Sequence, residues 1–293
     1  MSNSQFKTVT IAGGTGTLGY AISEAFLNDG SYNVKILRRK PENENEKAKL
    51  LASKGAEIVY ADYNQKDELV KALKGTDVLV SAVCFDKKTA VTGFYDIQSP
   101  LLAAAKEASV KRFIPSEFAL VYKPGVHPVV DDKIKFREEL EKSGLEYTYI
   151  QTGLFQEYLY WIGYDIVNKK ATFFGDGNTK LYTTSLPDIG KYTVESLKIP
   201  ETRNAQINVA GATLSLNEYL KKFEEVTGSK WEVVEDRDVR HRYQNNIDPV
   251  PSAADDFRAL VTETTKFDEI DNDKFSFTPQ PITETIEILV KQA

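Results

Sequence analysis

Thr8-Val9-Thr10-Ile11-Ala12-Gly13-Gly14-Thr15-Gly16-Thr17-Leu18-Gly19 is the stretch that decides the fold. Its first five residues are β-branched or apolar and read as a buried strand. Behind them Leu18, Ile22, Ala25 and Phe26 repeat at helical spacing, and Gly30 supplies a stop. Between strand and helix, glycines fall at positions 13, 16 and 19. Gly13 lets the backbone turn where a side chain would clash, and Gly16 lets backbone N–H groups approach a diphosphate. Gly19 lets the helix pack close to the strand, so that the helix N-terminus faces the phosphates. Thr15 and Thr17 add hydroxyl donors at the same end, where Leu18 enters the helix. A glycine trio alone is also found in ordinary turns. Its place between the first strand and first helix of an alternating chain gives it weight.

The alternation continues outward. Short apolar runs at Val34–Leu37, Glu57–Tyr60, Val78–Ala82, Arg112–Ile114 and Tyr147–Gln151 read as further buried strands. Helical patterns over Asp67–Lys74, Ile97–Ala108 and Lys133–Lys142 separate several of them. Six strands joined by crossovers predict a parallel, doubly wound Rossmann sheet of the α/β class. After Thr152 the rhythm changes. The aromatic run Phe155 to Tyr164 leads into the turn-rich Gly175-Asp176-Gly177-Asn178, and Ser215 with Glu218 forms a capping box ahead of a helix. Gln206–Val209 and Glu232–Val234 resemble strands and Ile282–Lys291 a closing helix. The expected organisation is a nucleotide domain over residues 1–154 and a smaller α/β substrate region over 155–293, with the two interleaved.

The end of the second strand indicates which dinucleotide. A site for NAD places a carboxylate there to accept the ribose hydroxyls. Here the strand ends in Leu37-Arg38-Arg39-Lys40. A guanidinium holds a 2′-phosphate bidentately, whereas a carboxylate repels it, so Arg38 and Arg39 favour NADP(H). Lys47, opening the next helical stretch, is within reach of the same phosphate on this reading. Ala82 and Val83, at the end of the fourth strand, border the cofactor in a sheet of this kind.

That basic run is also the longest in the chain. With 37 basic against 43 acidic residues and a net charge of −6, the sequence lacks the cationic face that nucleic acid or an anionic membrane requires. Cys84 is the single cysteine, so no intrachain disulfide forms and a cysteine zinc site is disfavoured. The two histidines, His127 and His241, argue against a histidine-rich metal site. No apolar run reaches membrane-spanning length, and Met1 to Lys7 is polar, so a cytoplasmic protein is expected.

The catalytic pattern of most short-chain dehydrogenases, a Tyr four residues ahead of a Lys, is missing. Four residues ahead of Lys133 stands Val129, which has no proton to transfer. Either the chemistry differs or a lysine acts without the tyrosine. At this point the sequence resembles the NmrA-like, isoflavone reductase-like group of atypical short-chain dehydrogenases. This group includes phenylcoumaran benzylic ether and pinoresinol–lariciresinol reductases. The resemblance covers nearly the whole chain. It is carried by the glycine loop, by Arg38 with Lys47, and by Arg112-Phe113-Ile114-Pro115-Ser116-Glu117-Phe118. Lys133 with Lys135 and Arg137, Tyr147-Thr148-Tyr149, and Gly175 to Lys180 complete it.

The resemblance implies that Lys133 is the polar catalytic group, hydrogen-bonded to the nicotinamide ribose, and that Phe155 lies beside the nicotinamide. A desolvated lysine titrates below the usual value of about 10.4 and can then accept a phenolic proton. The activity implied is NADPH-dependent reduction of a small, aromatic, phenylpropanoid- or quinone-like substrate. There are departures. Ala119 stands where the group often has Gly, and the loop from Leu120 to Val130 is shorter than in the plant reductases. His127 in that loop is a second candidate for proton transfer, and Tyr158, Tyr160, Trp161 and Tyr164 are candidates for an aromatic pocket wall. Cys84 reads as a small buried side chain. Two other readings stay open: a sensor that binds NADP(H) and a protein partner without turnover, and a sugar-nucleotide epimerase.

Overall fold

Alternating strands and helices build a seven-stranded sheet. A computed structural model describes residues 6–40, 44–84, 93–120, 123–263 and 267–293. In chain order its first half runs β1 (Thr8–Ala12), α1 (Thr17–Asp29), β2 (Asn33–Arg38), α2 (Glu46–Ser53), β3 (Glu57–Tyr60) and α3 (Lys66–Leu73). Next come β4 (Val78–Ser81), α4 (Phe94–Glu107), β5 (Arg112–Ile114), α5 (Pro128–Glu141) and β6 (Glu146–Gln151). The second half opens with β7 (Leu154–Phe155), a 3-10 helix over Gln156–Ile162, β8 (Tyr164–Asp165), β9 (Lys170–Phe173), β10 (Lys180–Thr184) and α6 (Leu186–Ser196). It ends with β11 (Ala205–Asn208), β12 (Ala212–Ser215), α7 (Leu216–Thr227), β13 (Glu232–Glu235), α8 (Val239–Gln244), α9 (Ala253–Glu263) and α10 (Ile282–Gln292).

The large sheet has the order β11-β6-β5-β4-β1-β2-β3, and all its pairings are parallel. Side chains alternate across it with the period of two that a strand imposes. Val9, Ile11, Val78 and Val80 face one layer, closed by Ile22 and Phe26 of α1, Leu51 of α2 and Ile189 of α6. Ala12, Leu37 and Leu79 face the other, closed by Leu69 of α3, Leu101 of α4 and Phe136 of α5. The order in which strands are added reverses at β1, with β2 and β3 laid down on one side and β4, β5 and β6 on the other. The crevice at the carboxyl ends of the strands at such a point is where a doubly wound sheet receives its ligand.

The seventh strand comes from beyond residue 154: Gln206–Val209, read from the sequence as a strand, supplies β11, which pairs with β6, with Ile207 opposite Ile150. Periodicity reports that a segment is a strand and says nothing of its partner. The helix that precedes β11, α6, docks on α1. A Cβ at Gly190 would come within 2.7 Å of the Ala21 carbonyl, so the glycine permits the close approach. The lysine-bearing helix also starts earlier than the sequence suggested, at Pro128 rather than Lys133. Pro128 occupies the first turn, where its missing N–H is no loss.

The remaining strands form two three-stranded sheets, β12-β10-β7 and β13-β9-β8. They share a core of Tyr164, Phe173, Tyr219, Phe223 and Trp231. The Ser215–Glu218 capping box is present at the start of α7. Among the described residues no helix is long and apolar enough to cross a membrane.

Candidate active site

The glycine loop is built as its spacing requires. Gly13 has φ +77°, a conformation that disfavours a side chain, and a Cβ there would lie 2.9 Å from the Ala82 carbonyl oxygen. At Gly19 a Cβ would meet the Gly13 carbonyl oxygen at 2.1 Å, so helix and loop touch backbone to backbone. Gly16 N–H closes the loop on the Gly13 carbonyl at 2.9 Å and serves as N-cap of α1. No side chain caps α1 and no acidic residue lies in its first turn. Its N-terminal amides and the positive end of its dipole are therefore directed to an anion.

A crevice of about 790 Å³ opens above this loop. Gly13, Thr15, Gly16, Thr17 and Leu18 line it from one side, and Arg38, Arg39 and Lys40 from the end of β2. Arg38 donates from Nε to Thr15 Oγ1 at 3.1 Å, which draws its guanidinium toward the loop. Ala82 and Val83 continue the wall beyond β4, and Phe155 and Lys133 close it. These features fit a dinucleotide: uncapped amides for the diphosphate, two arginines for an added phosphate, and an apolar far end. Gly19 contributes packing rather than lining. Lys47 stands apart, on α2 with its ammonium 5.3 Å from the Tyr20 ring centroid, and does not line the crevice.

A second cavity, of about 450 Å³, adjoins the first. The two share Phe94, Glu117, Phe118, Lys133, Phe155 and Tyr158 in their walls. The rest of the second cavity is mostly apolar, with Leu120, Val129, Trp161, Phe257 and Val261 among its lining, and its charged residues are Glu117, Lys133 and Arg137. Lys133 thus sits where the cavities meet. Its Nζ donates to the Glu117 carbonyl at 2.7 Å and lies 4.5 Å from the Phe94 ring centroid. Burial pulls its pKa down and Glu117 pulls it up. Arg137 adds to the lowering, and the net value falls below that of an ordinary lysine. Glu117 is buried, yet its carboxyl is held below the usual range. Desolvation alone would raise it, but the hydrogen bond and charge of Arg137, with help from Lys133 and Gln151, more than offset this.

The other candidates divide. Tyr158, Tyr160 and Trp161 line the second cavity, whereas Tyr164 is fully buried in the C-terminal core and donates to the Leu216 carbonyl at 2.5 Å. His127 lines neither cavity. It caps α5, accepting from Val129 N–H through Nδ1 at 3.2 Å, and packs 4.6 Å from the Phe257 ring. Cys84, expected to be buried, is exposed on the crevice wall, because β4 ends at Ser81 and the chain has already left the sheet. Sequence reasoning missed Tyr63, which follows β3 and lines the crevice. Burial raises its phenol, against the opposing influence of Arg39 and the Gly13 amide. It also missed Phe257 and Val261, whose helix carries no signal for a pocket more than ninety residues away in sequence. Glu117 was legible within its motif but had no assigned task.

Comparison with known proteins accords with this geometry. The NmrA-like family matches residues 5–274, and the chain belongs to that family. Bifunctional pinoresinol-lariciresinol reductase 2 of Thuja plicata is 32% identical over 238 residues, 75% of either chain. The solved structure of AtPrR2 with NADP+ and (+)pinoresinol superposes with a TM-score of 0.80 at 26% identity, covering 98% of this chain and 99% of that one. The complex of leucoanthocyanidin reductase with NADPH from Vitis vinifera gives 0.80 at 25% identity, covering 97% and 99%. The protein is an NADPH-dependent oxidoreductase of the isoflavone reductase-like type.

Proposed function

We propose that this oxidoreductase reduces a small aromatic compound, phenylpropanoid- or quinone-like, held in the 450 Å³ cavity, with Lys133 as the group that moves the proton. The observation that carries the proposal is the position of Lys133 on the wall common to crevice and cavity. In this reading the glycine-loop amides and the N-terminus of α1 hold the diphosphate, with Thr15, Thr17 and Leu18 beside it. Arg38 and Arg39 hold the 2′-phosphate, and Ala82, Val83 and Phe155 flank the nicotinamide end. Bound NADPH supplies a hydride. Lys133 orients the nicotinamide ribose and, as a neutral amine, takes the proton of a phenol in the cavity as its benzylic C–O bond breaks. It then gives that proton to the departing oxygen, leaving an electron-poor carbon to accept the hydride and solvent to reprotonate the phenolate. With a quinone-like substrate the ammonium form gives its proton to the carbonyl oxygen as the hydride adds. Phe118, Phe155 and Trp161 exclude water and favour a flat, uncharged ring. A cytosolic setting suits a chain with one exposed cysteine.

The relatives differ in the compounds for which they are named, so the particular substrate follows from a panel. NADPH oxidation with pinoresinol and related phenols as probes, wild type against Lys133→Met, is the test. Turnover falls by about 10²- to 10⁴-fold, the usual contribution of a general base, while NADPH affinity stays within a few-fold. Undiminished turnover in the variant removes Lys133 from the mechanism. A sensor without turnover would leave the apolar cavity without a task. Silence across the panel, with partner capture that follows the NADP+/NADPH ratio, would favour it.

A further inference from the structure

Glu117 is the one carboxylate that lines either cavity among the described residues, and it is 3% exposed. It holds two cations in different ways. Its main-chain carbonyl accepts from Lys133 Nζ, and its carboxylate Oε2 accepts from Arg137 Nη2 and from Gln151 Nε2 at 3.1 Å. Arg137 follows Lys133 by four residues on α5, one turn along the same face. Its Nη1 is anchored to Gln206 Oε1 on β11 at 3.1 Å, and its guanidinium lies 4.7 Å from the Tyr149 ring centroid. The guanidinium is thus fixed from three sides.

A buried carboxylate next to an amine ordinarily takes that amine as its ammonium counter-ion. Here the carboxylate already has a partner that does not deprotonate. Charge at Glu117 is balanced whichever form Lys133 adopts. A neutral amine can keep donating one N–H to the carbonyl while its lone pair remains free.

We infer that Glu117 and Arg137 are positioning residues for Lys133: their ion pair occupies the carboxylate, so a main-chain carbonyl holds the lysine, which passes between amine and ammonium during turnover. This rests on the proposed role of Lys133 in proton transfer. Among the described residues the charged and titratable groups that act on Lys133 are Glu117 from the segment after β5, Arg137 from its own helix and Cys84 beyond β4. Glu117 and Cys84 favour its ammonium form, and burial and Arg137 disfavour it.

The test reads the lysine directly and needs no substrate. The full chain is acetylated with acetic anhydride across a pH series, and the labelling of Lys133 is followed by peptide mass spectrometry. A short unstructured lysine peptide in the same reaction serves as internal reference. In the wild type Lys133 reaches half-maximal labelling at lower pH than the peptide lysine. Glu117→Gln removes the negative charge and moves the Lys133 midpoint further down, on the order of one pH unit. Arg137→Gln leaves the carboxylate without its cation and moves the midpoint up by a similar amount. Arg137→Lys keeps the charge, loses the fork, and stays near wild type even where its melting temperature falls. A purely structural pair would alter melting and leave the midpoints in place. A midpoint that is unchanged or raised in Glu117→Gln, the near-isosteric variant, overturns the inference whatever the arginine variants do. If the midpoints move as stated while Lys133→Met retains full turnover, the role given to the lysine falls and so does that of its positioning pair. The electrostatic coupling alone would stand.

Discussion

Replacing Arg38 by Ala removes a guanidinium tied to the glycine loop. In the wild type its Nε is engaged by Thr15 Oγ1 at 3.1 Å, so the terminal nitrogens are presented to the crevice in a restricted orientation. A hydrogen bond to a charged group contributes about 1.5–3 kcal/mol. At about 1.4 kcal/mol per tenfold, the full range corresponds to about a 10- to 150-fold loss of affinity. Arg38 is half-buried and Arg39 beside it remains, so solvent screening and the second cation place the outcome at the lower end, about 10- to 30-fold. The loss falls on NADPH. NADH has no 2′-phosphate, and its affinity changes by less than about threefold, since an uncharged ribose edge gains little from the guanidinium. Thr15→Val, which removes the tether and keeps the charge, lowers NADPH affinity by a smaller factor. Calorimetric titration of both dinucleotides into wild type and the two variants, at one fixed ionic strength, measures all of this. Equal losses for NADPH and NADH, or no loss for either, would refute the assignment of Arg38 to the added phosphate.

Two glycines separate folding from binding. Gly19→Ala drives a methyl to 2.1 Å from one backbone oxygen and 2.7 Å from its carbon, so the loop has to shift. It destabilises the fold by about 1–3 kcal/mol and weakens NADPH binding as well. Gly16→Ala meets its nearest neighbour at 3.2 Å with φ −69° and keeps a near-wild-type melting temperature while losing NADPH affinity. Identical behaviour of the pair in melting and titration would contradict the division of roles. His127 sets a pH dependence. Burial lowers its pKa below the ordinary 6.5, against the opposing pull of Asp256 and Asp131. A base depressed in the folded state contributes stability above its unfolded pKa and loses it as pH falls through the folded value. Urea midpoints of the wild type therefore fall between pH 7.5 and 5.5 relative to His127→Asn, which keeps a capping acceptor and does not titrate. A constant difference between the two proteins would remove His127 from the acid response.

The local chemistry of this chain was written in its sequence. The strand-loop-helix of Thr8 to Gly30, the paired arginines ending β2 and the Ser215 capping box each depend on residues within a few positions of one another. Backbone freedom, charge and hydrogen-bond spacing determine them without reference to the rest of the chain. The crevice above the glycine loop was legible for that reason. The second cavity was legible only in its aromatic wall, Tyr158, Tyr160 and Trp161, because it is assembled from the 3-10 helix, α5 and α9, which meet only when the C-terminal region folds back over the sheet. Position, not residue type, separates Tyr160 on the cavity wall from Tyr164 in the core, and puts His127 at the cap of α5, outside the lining of either cavity. The same holds for β11, whose partner β6 lies more than fifty residues earlier in the chain. What tertiary structure alone decided is the environment of Lys133. Its proton affinity depends on burial and on Glu117 and Arg137, and burial arises only once distant segments close around it.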